Sequence, residues 1–169
     1  MMRWALGVLI AAVLVHVAAV VAVPRVIMRG AMARLQQAAP NEFSHGAMAT
    51  ADSRQIVRPS PDLAYSTLVY DVSARPLEVH VPLSAPYTSL SGFAANTDNF
   101  FALNDLGASG PEIAVVLVGP HSARAGLEGA RVVESPSDRG ILLVRRVVPS
   151  AAAFASIDAT RRRASARLH

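Results

Sequence analysis

The stretch LAYSTLVYDVSARPLEVHVP at residues 63–82 decides the fold of this chain. It contains two short apolar runs separated by turn-forming residues, which is the pattern of two successive β-strands. In the second run Leu77, Val79 and Val81 alternate with polar residues. This alternation predicts a half-buried strand with one face towards a core and the other towards water.

Similar runs continue along the chain, each bounded by Pro, Gly, Asn or Asp. Six short strands at this spacing indicate a β-sandwich or a jelly-roll-like sheet. The run EIAVVLV at 112–118 is apolar on both faces and predicts a central strand that is covered on both sides. The predicted strands are 63–71, 76–82, 87–94, 99–103, 112–118 and 141–148.

After Pro149 the apolar residues take the spacing of a helix, and Ser150 is a suitable residue to cap its start. Arginines fill the end of this segment, where they complement the helix dipole. The predicted fold class is therefore mainly β, with a C-terminal helix after the sheet. The basic end contains Arg161, Arg162, Arg163 and Arg167.

The N-terminus is an apolar run, WALGVLIAAVLVHVAAVVAV, that extends from Trp4 to Val23 without a charge. At about 1.5 Å per residue, a helix of this length spans roughly 30 Å of hydrocarbon. A cleaved signal peptide is the alternative, but its apolar core usually has only about 7–15 residues. We therefore predict a retained, single-pass transmembrane α-helix.

Small residues recur along one face of this predicted helix, where another helix could approach closely. The alternative is that the span is simply rich in alanine. The residues predicted to make a helix–helix contact are Gly7, Ala11, Ala18 and Ala22.

The segment that follows, PRVIMRGAMARLQQ at 24–37, predicts a juxtamembrane helix. Met28, Met32 and Leu35 recur at helical spacing among three arginines, which is typical of a helix that lies on anionic headgroups. The predicted organisation is an anchor with a juxtamembrane helix over 1–35, a linker over 36–54, and a β-rich domain over 55–169. By the positive-inside rule, the arginines after the span favour a cytoplasmic domain.

The composition limits the chemistry of the chain. All 16 basic residues are arginine, against 12 acidic residues, which gives a net charge of +4 and favours lipid headgroups as partners. The chain has no cysteine, and this excludes disulfides, thiolate nucleophiles and cysteine-based zinc sites. The arginine run at 161–163 lacks interleaved aromatic residues, so no nucleic acid partner is predicted.

No motif indicates a metal, a cofactor or a known catalytic centre. His45, His80 and His121 are widely separated and lack the close spacing that brings two imidazoles to one metal. The sequence contains no G-x-S-x-G nucleophile elbow and no glycine-rich phosphate loop. We therefore predict no metal, no cofactor and a domain without catalytic residues.

A set of polar residues expected to line one end of the sheet is the candidate site for a small polar ligand. Two phenols, two carboxylates and an amide would supply its hydrogen bonds. The alternative is that the aspartates form turns while the tyrosines pack with a satisfied hydroxyl. The candidate ligand-binding residues are Asp62, Tyr65, Tyr87, Asp98 and Asn99.

The segment PSPDLAYSTLVYDVSARPLEVHVP at 59–82 resembles the opening strands of a bacterial family, domain of unknown function 1254. That family has a Pro-Asn-x-Asp-Thr-x-Tyr-Ser segment, and its Pro, Asp, Tyr and Ser are matched here by Pro59, Asp62, Tyr65 and Ser66. The resemblance covers about residues 55–160. Further matches to the family pattern are Tyr87, Ser89, Leu90, Thr97, Asn99, Phe100, the Gly119–Pro120 turn and the strand within 136–145. The chain departs from the family pattern at four positions, Ser60, Leu63, Ala94 and Asn96.

The resemblance also implies a place and a partner for the protein. Members of the family are commonly exported, which implies a periplasmic domain on an inner-membrane anchor and opposes the charge rule. Longer relatives carry a second domain, family of unknown function 1214, and this implies a membrane-anchored companion protein of that type. We expect a non-catalytic interaction module of the bacterial envelope. The alternative is a binder of, or an enzyme acting on, a small polar or carbohydrate-like ligand.

Overall fold

The computed structural model describes residues 2–50, 52–53, 59–122, 127 and 129–169. Two α-helices, nine strands and one 3₁₀ turn occur in this part of the chain. The predicted boundary between residues 54 and 55 lies outside the described residues. In chain order the elements are α1 (Met2–Leu35), β1 (Phe43–His45), β2 (Leu63–Asp71), β3 (Leu77–Pro82), β4 (Thr88–Ala94), β5 (Asn99–Asn104), a 3₁₀ turn (Asp105–Gly107), β6 (Glu112–Val118), β7 (Val132–Glu134), β8 (Arg139–Val147), α2 (Ala151–Arg161) and β9 (Ser165–Leu168).

All six predicted strands are present, and the mainly β fold class is confirmed. The sequence missed β1, β7 and β9, which have only three or four residues and therefore no period to recognise. The first of these lies inside the predicted linker. The last holds Arg167, because the C-terminal helix ends at Arg161 rather than continuing through the basic tail.

The strands form two sheets. Sheet 1 has the order β1-β2-β8-β4-β5 and is antiparallel throughout. Sheet 2 has the order β7-β6-β3-β9, in which only the β6–β7 pair is parallel among the described strands. Since β6 lies between two neighbours, its predicted central position is confirmed. The predicted cover on both sides is incomplete, because Ala114 on the outer face is exposed.

The core lies between the two sheets. Leu77, Val79 and Val81 of β3 are fully buried, whereas the polar residues between them are only partly buried, as the alternation predicted. Leu68 of β2 and Leu142 of β8 face them from sheet 1. Burial of this apolar surface is the main stabilising contribution to the sandwich.

Helix α1 is one continuous element of 34 residues, which corresponds to roughly 50 Å of length. Pro24 lies inside the helix rather than at its end. The neighbouring Arg25 donates a side-chain hydrogen bond to the carbonyl of Val21 (2.6 Å), within the turn that contains the proline. By length and composition α1 is able to cross a membrane, and none of its most apolar part is buried against the rest of the protein.

The last third of α1 packs on the outer face of sheet 1. Met28 is buried there with Val69 of β2 and Ile141 of β8, while Met32 and Leu35 complete the contact. The helical face that the sequence assigned to the membrane surface therefore packs on protein. The pattern alone does not distinguish these cases, because a sheet and a bilayer both accept an apolar stripe.

Helix α2 closes one end of the sandwich. The side chain of Ser150 accepts a hydrogen bond from the backbone of Ala153, which confirms the predicted cap. Ile157 packs against Ala64 at the start of β2 and Val148 just after β8. This end of the molecule is called the α2 end below.

Candidate functional site

The candidate ligand-binding residues lie at two ends of sheet 1. Asp62, Tyr65 and Tyr87 are at the α2 end, because the start of β2 and the start of β4 both pair with the end of β8. Asp98 and Asn99 lie at the turn between β4 and β5. The seven residues of β4 separate the two groups by roughly 20 Å.

Several of these residues have local partners. The hydroxyl of Tyr65 accepts a hydrogen bond from the backbone of Ser60 (2.9 Å). Asp98 accepts from the side-chain amide of Asn96 and donates its backbone N–H to the same side chain (3.3 Å), within the β4–β5 turn. Both arrangements fit the alternative of turns and satisfied hydroxyls. A ligand-binding role for the five residues stays a prediction.

The α2 end also contains a polar cluster that the sequence did not predict. We call it the arginine cluster and define it as His45, Ser66, Arg146, Asp158 and Arg161. Its members come from β1, β2, β8 and α2. Two of them are arginines with 1% or less of their surface exposed. Arginine is rarely buried this deeply, so the cluster is the most unusual polar feature of the described structure.

Arg161 is well paired in this cluster. Its guanidinium donates to the carboxylate of Asp158 (2.6 Å), to the carbonyl of Tyr65 (2.8 Å) and to the carbonyl of Gly46 (2.8 Å). It also lies over the ring of Phe154, 5.3 Å from the centroid. One side chain thus ties α2 to β2 and to the segment after β1.

Arg146 is poorly paired by comparison. Its Nη2 donates to the carbonyl of Pro82 (2.7 Å), but Nε and Nη1 are buried and have no hydrogen-bond partner in the structure. Burial lowers the pKa of Arg146 to about 10, and the positive charge of Arg161 adds to the effect. A buried cation of this kind is costly, because no carboxylate of the described residues compensates for the water it has lost.

His45 and Ser66 form the only serine–histidine hydrogen bond in the part of the chain that the structure describes, with 2.8 Å between Nδ1 and Oγ. Such a pair is a candidate base and nucleophile. However, Ser66 is 1% exposed, so a substrate cannot reach its hydroxyl without rearrangement. Burial, followed by the charge of Arg161, lowers the pKa of His45 to about 4, well below the range of an effective base at neutral pH.

The low pKa of His45 predicts a loss of stability in acid. Between pH 4 and 6.5 the unfolded chain binds a proton on His45 that the folded chain does not bind, so stability falls as the pH drops through this window. At about 1.4 kcal/mol per pKa unit, the loss is at most about 3 kcal/mol, less whatever solvent screening removes.

The measurement is chemical unfolding of wild type and His45→Asn from pH 7 to 4. The variant keeps a polar group beside Ser66 but removes the titration, so its stability should fall less over this window. The contribution of His80 to the pH dependence of stability has the opposite sign, because Glu112 and then Glu78 raise its pKa. This contribution is the same in wild type and in the variant, so it cancels when the two are compared. Equal pH dependence in both proteins would contradict the burial of a neutral His45.

An apolar groove lies between α1 and the outer face of sheet 1, and we call it the helix–sheet groove. Its volume is about 530 Å³. Ile27, Ala31 and Leu35 line it on the helix, and Phe93 and Ile141 line it on the sheet. The sequence did not predict this groove, because it depends on how α1 docks.

A family model described as "Protein of unknown function (DUF1254)" matches residues 40–167, which is well over half of the chain. The chain belongs to the DUF1254 family. The matched range starts before β1 and ends within β9, so the DUF1254 region includes both of these short strands and α2.

Two solved structures are similar to this chain. The chain is similar to the VPA0106 protein from Vibrio parahaemolyticus, with a TM-score of 0.65, 14% identity, and coverage of 86% of this chain and 34% of that one. It is also similar to an uncharacterised protein from Burkholderia cenocepacia, with a TM-score of 0.49, 18% identity, and coverage of 74% and 36%. This chain therefore spans about one third of the solved proteins that it matches. No curated protein matches it.

Proposed function

We propose that this DUF1254 protein is a single-pass inner-membrane protein whose β-sandwich is a non-catalytic interaction module of the bacterial envelope. The observation that carries the proposal is the continuity of α1. Its apolar part, up to Val23, is exposed on all sides, and its last third packs on sheet 1 through Met28. A helix that crosses the bilayer and then docks on the domain holds the domain close to the membrane surface.

The arginine cluster supports a non-catalytic role. His45 is neutral above about pH 4, and its hydroxyl partner Ser66 is buried. The nearby Arg161 is engaged in holding α2 against the sandwich. These properties stabilise structure and do not provide an accessible nucleophile.

The membrane side of the domain is part of the proposal. Export of the family favours the periplasm, whereas Arg25, Arg29 and Arg34 after the span favour the cytoplasm. The test is a pair of C-terminal reporter fusions, one active only in the cytoplasm and one active only outside it. We expect activity from the external reporter. Activity from the cytoplasmic reporter alone would overturn the periplasmic placement.

We propose further that the module works with a membrane-anchored companion, of the 1214 type that the family resemblance implies. The face formed by Gly7, Ala11, Ala18 and Ala22 supports a helix–helix contact, because it is exposed and a side chain added at Gly7 would meet open space.

Crosslinking in membranes, followed by purification in mild detergent, tests the companion. Gly7→Leu with Ala11→Leu should lose the crosslinked partner, while the control Val13→Leu with Val20→Leu, on the opposite side of the helix, should keep it. A protein that is always recovered alone and monomeric would contradict the proposal.

A second function is favoured by one observation, the common location of Asp62, Tyr65 and Tyr87 at the α2 end. There they would hydrogen-bond a small polar or carbohydrate-like ligand. The test is thermal-shift screening with envelope oligosaccharides on wild type, Tyr65→Phe and Asp62→Asn. A ligand-induced shift that both variants lose, at unchanged melting temperature of the free protein, would favour this function. Equal responses of all three proteins would exclude these residues.

A further inference from the structure

The helix–sheet groove lies where the proposed membrane span ends. Its helical side begins at Val26, three residues after the last residue of the apolar run, and continues along α1 as far as Leu35. If α1 crosses the bilayer, the groove opens at the level of the lipid headgroups. A lipid chain therefore reaches it without passing through water.

The chemistry of the groove is that of an apolar cavity with a charged end. Ile27 and Ala31 on α1 face Phe93 and Leu143 on sheet 1, and Val26 and Ile27 are each about 60% exposed. The volume of about 530 Å³ falls within the roughly 300–1,000 Å³ of ordinary ligand sites. Large apolar side chains left exposed beside a cavity indicate a site for an apolar ligand.

Positive charge accompanies the apolar lining. Arg34 lines the groove at its far end, about 12 Å along the helix from Val26. Thr67 and Thr97 are also in the lining. Helix α1 contains no acidic residue, and among the described residues Arg34 has no carboxylate partner. A guanidinium suits a phosphate group, because it donates paired, charge-assisted hydrogen bonds.

We propose that the helix–sheet groove binds an acyl chain of an anionic membrane phospholipid and that Arg34 binds its phosphate. The chain enters from the bilayer beside Val26 and lies between α1 and sheet 1, so that the headgroup is drawn outwards along the helix. This proposal rests on the proposed membrane span of α1. It adds a lipid-binding site to the interaction module.

The chain offers a mild way to block the groove. A Cβ at Gly30, which lines the groove, would have no atom within 4 Å, so a larger residue can be introduced here, and Gly30→Phe is designed to occupy the groove. It also replaces a poor helix former. Arg34→Gln removes the charge at the groove, and Arg29→Gln is the matched control, because it removes the same charge from the same helix outside the lining.

The experiment uses the full chain in nanodiscs that contain equal amounts of phosphatidylglycerol and phosphatidylcholine, followed by native mass spectrometry. We expect wild type and Arg29→Gln to retain one phosphatidylglycerol. Gly30→Phe should reduce the retained lipid by about tenfold or more, and Arg34→Gln should remove the preference for phosphatidylglycerol.

The following outcomes would contradict the proposal. Equal retention by wild type and Gly30→Phe would overturn it, as would a lipid-free dimer in which a second copy fills the groove. Equal effects of Arg34→Gln and Arg29→Gln would show attraction to the membrane surface without a site. A carbonate wash of the cell membranes from which the protein is purified separates the two proposals. Protein that is washed off contradicts the span, whereas integral protein without retained lipid in the nanodiscs contradicts only the groove site.

Discussion

Replacing Arg161 by methionine should lower the free energy of unfolding by about 3–5 kcal/mol, because three oxygen atoms lose a charged hydrogen-bond donor that is itself buried. The change removes the two hydrogen bonds that join α2 to Tyr65 and Gly46, and a third one to Asp158 within α2. Methionine is similar in length, so little volume is lost. Denaturant unfolding measures the effect, and loss of the near-ultraviolet signal of the α2 end should occur at the same denaturant concentration.

Arg162→Met is the matched control. Arg162 binds the same carboxylate, through Nε at 2.7 Å, but 58% of its side chain is exposed. Exposed ion pairs of this kind contribute about 1 kcal/mol or less. If the two variants lost equal stability, the buried hydrogen bonds of Arg161 would not be the origin of its effect.

Arg146 provides a contrast in the same cluster. Its charge is buried beside that of Arg161 and, within the part of the chain that the structure describes, is paired with a single carbonyl. Removing an uncompensated buried charge relieves a desolvation cost, so Arg146→Met should cost far less than Arg161→Met. A loss as large as that of Arg161→Met would mean that Arg146 has a strong partner.

The second large effect is expected at Gly140 in β8. A Cβ at this position would lie 2.2 Å from the carbonyl oxygen of Phe93 and 2.4 Å from the hydroxyl of Tyr70. Backbone atoms of a paired strand cannot move aside as a flexible side chain can. We expect Gly140→Ala to cost at least about 3 kcal/mol, or to prevent folding.

A paired substitution makes this result specific. Tyr70→Phe removes the hydroxyl but leaves the carbonyl of Phe93 in place, so Gly140→Ala with Tyr70→Phe should remain strongly destabilised. Gly110→Ala is the control, because no atom lies within 4 Å of the added Cβ, and its effect should stay within about 0.5 kcal/mol. Near-normal stability of Gly140→Ala would contradict the close packing of Tyr70 on β8.

The local patterns were sufficient for the main strands and for both helices. Alternation in β3 reports directly on burial, because each side chain of a strand faces one side of the sheet. The apolar run of β6 is less direct, since its outer face is buried only in the second half of the strand. The three short strands are held by their neighbours rather than by their own composition. Phe43–His45 is too short to show a periodic pattern, so its pairing with β2 cannot be predicted from its own sequence.

The arginine cluster and the groove depend on contacts between distant segments. Arg161 looks like a surface residue in a basic tail, since nothing nearby in sequence reveals that α2 folds over β2. Arg146 lies in a predicted strand, whose pattern does not reveal that its side chain is buried beside Arg161. Likewise, Met28 meets Val69 and Ile141 only through the tertiary fold. Neither arrangement leaves a signal in local spacing. Pairing register also separates the candidate residues Tyr65 and Asp98, which sequence alone placed at one end of the sheet.

Helix α1 is proposed to cross the bilayer and then to dock on sheet 1. Because the chain has no cysteine, a single pair can be introduced by Met28→Cys and Ile141→Cys, two positions that are packed together. The control pair is Ala11→Cys and Ile141→Cys, since Ala11 lies in the exposed apolar part of the helix. The one measurement is disulfide formation by the full chain in isolated membranes after a carbonate wash. We expect the protein to stay in the washed membranes. We also expect the 28/141 pair to form its disulfide rapidly while the 11/141 pair stays reduced. Release of the protein by the wash, or closure of the 28/141 pair no faster than the control, would contradict this proposal.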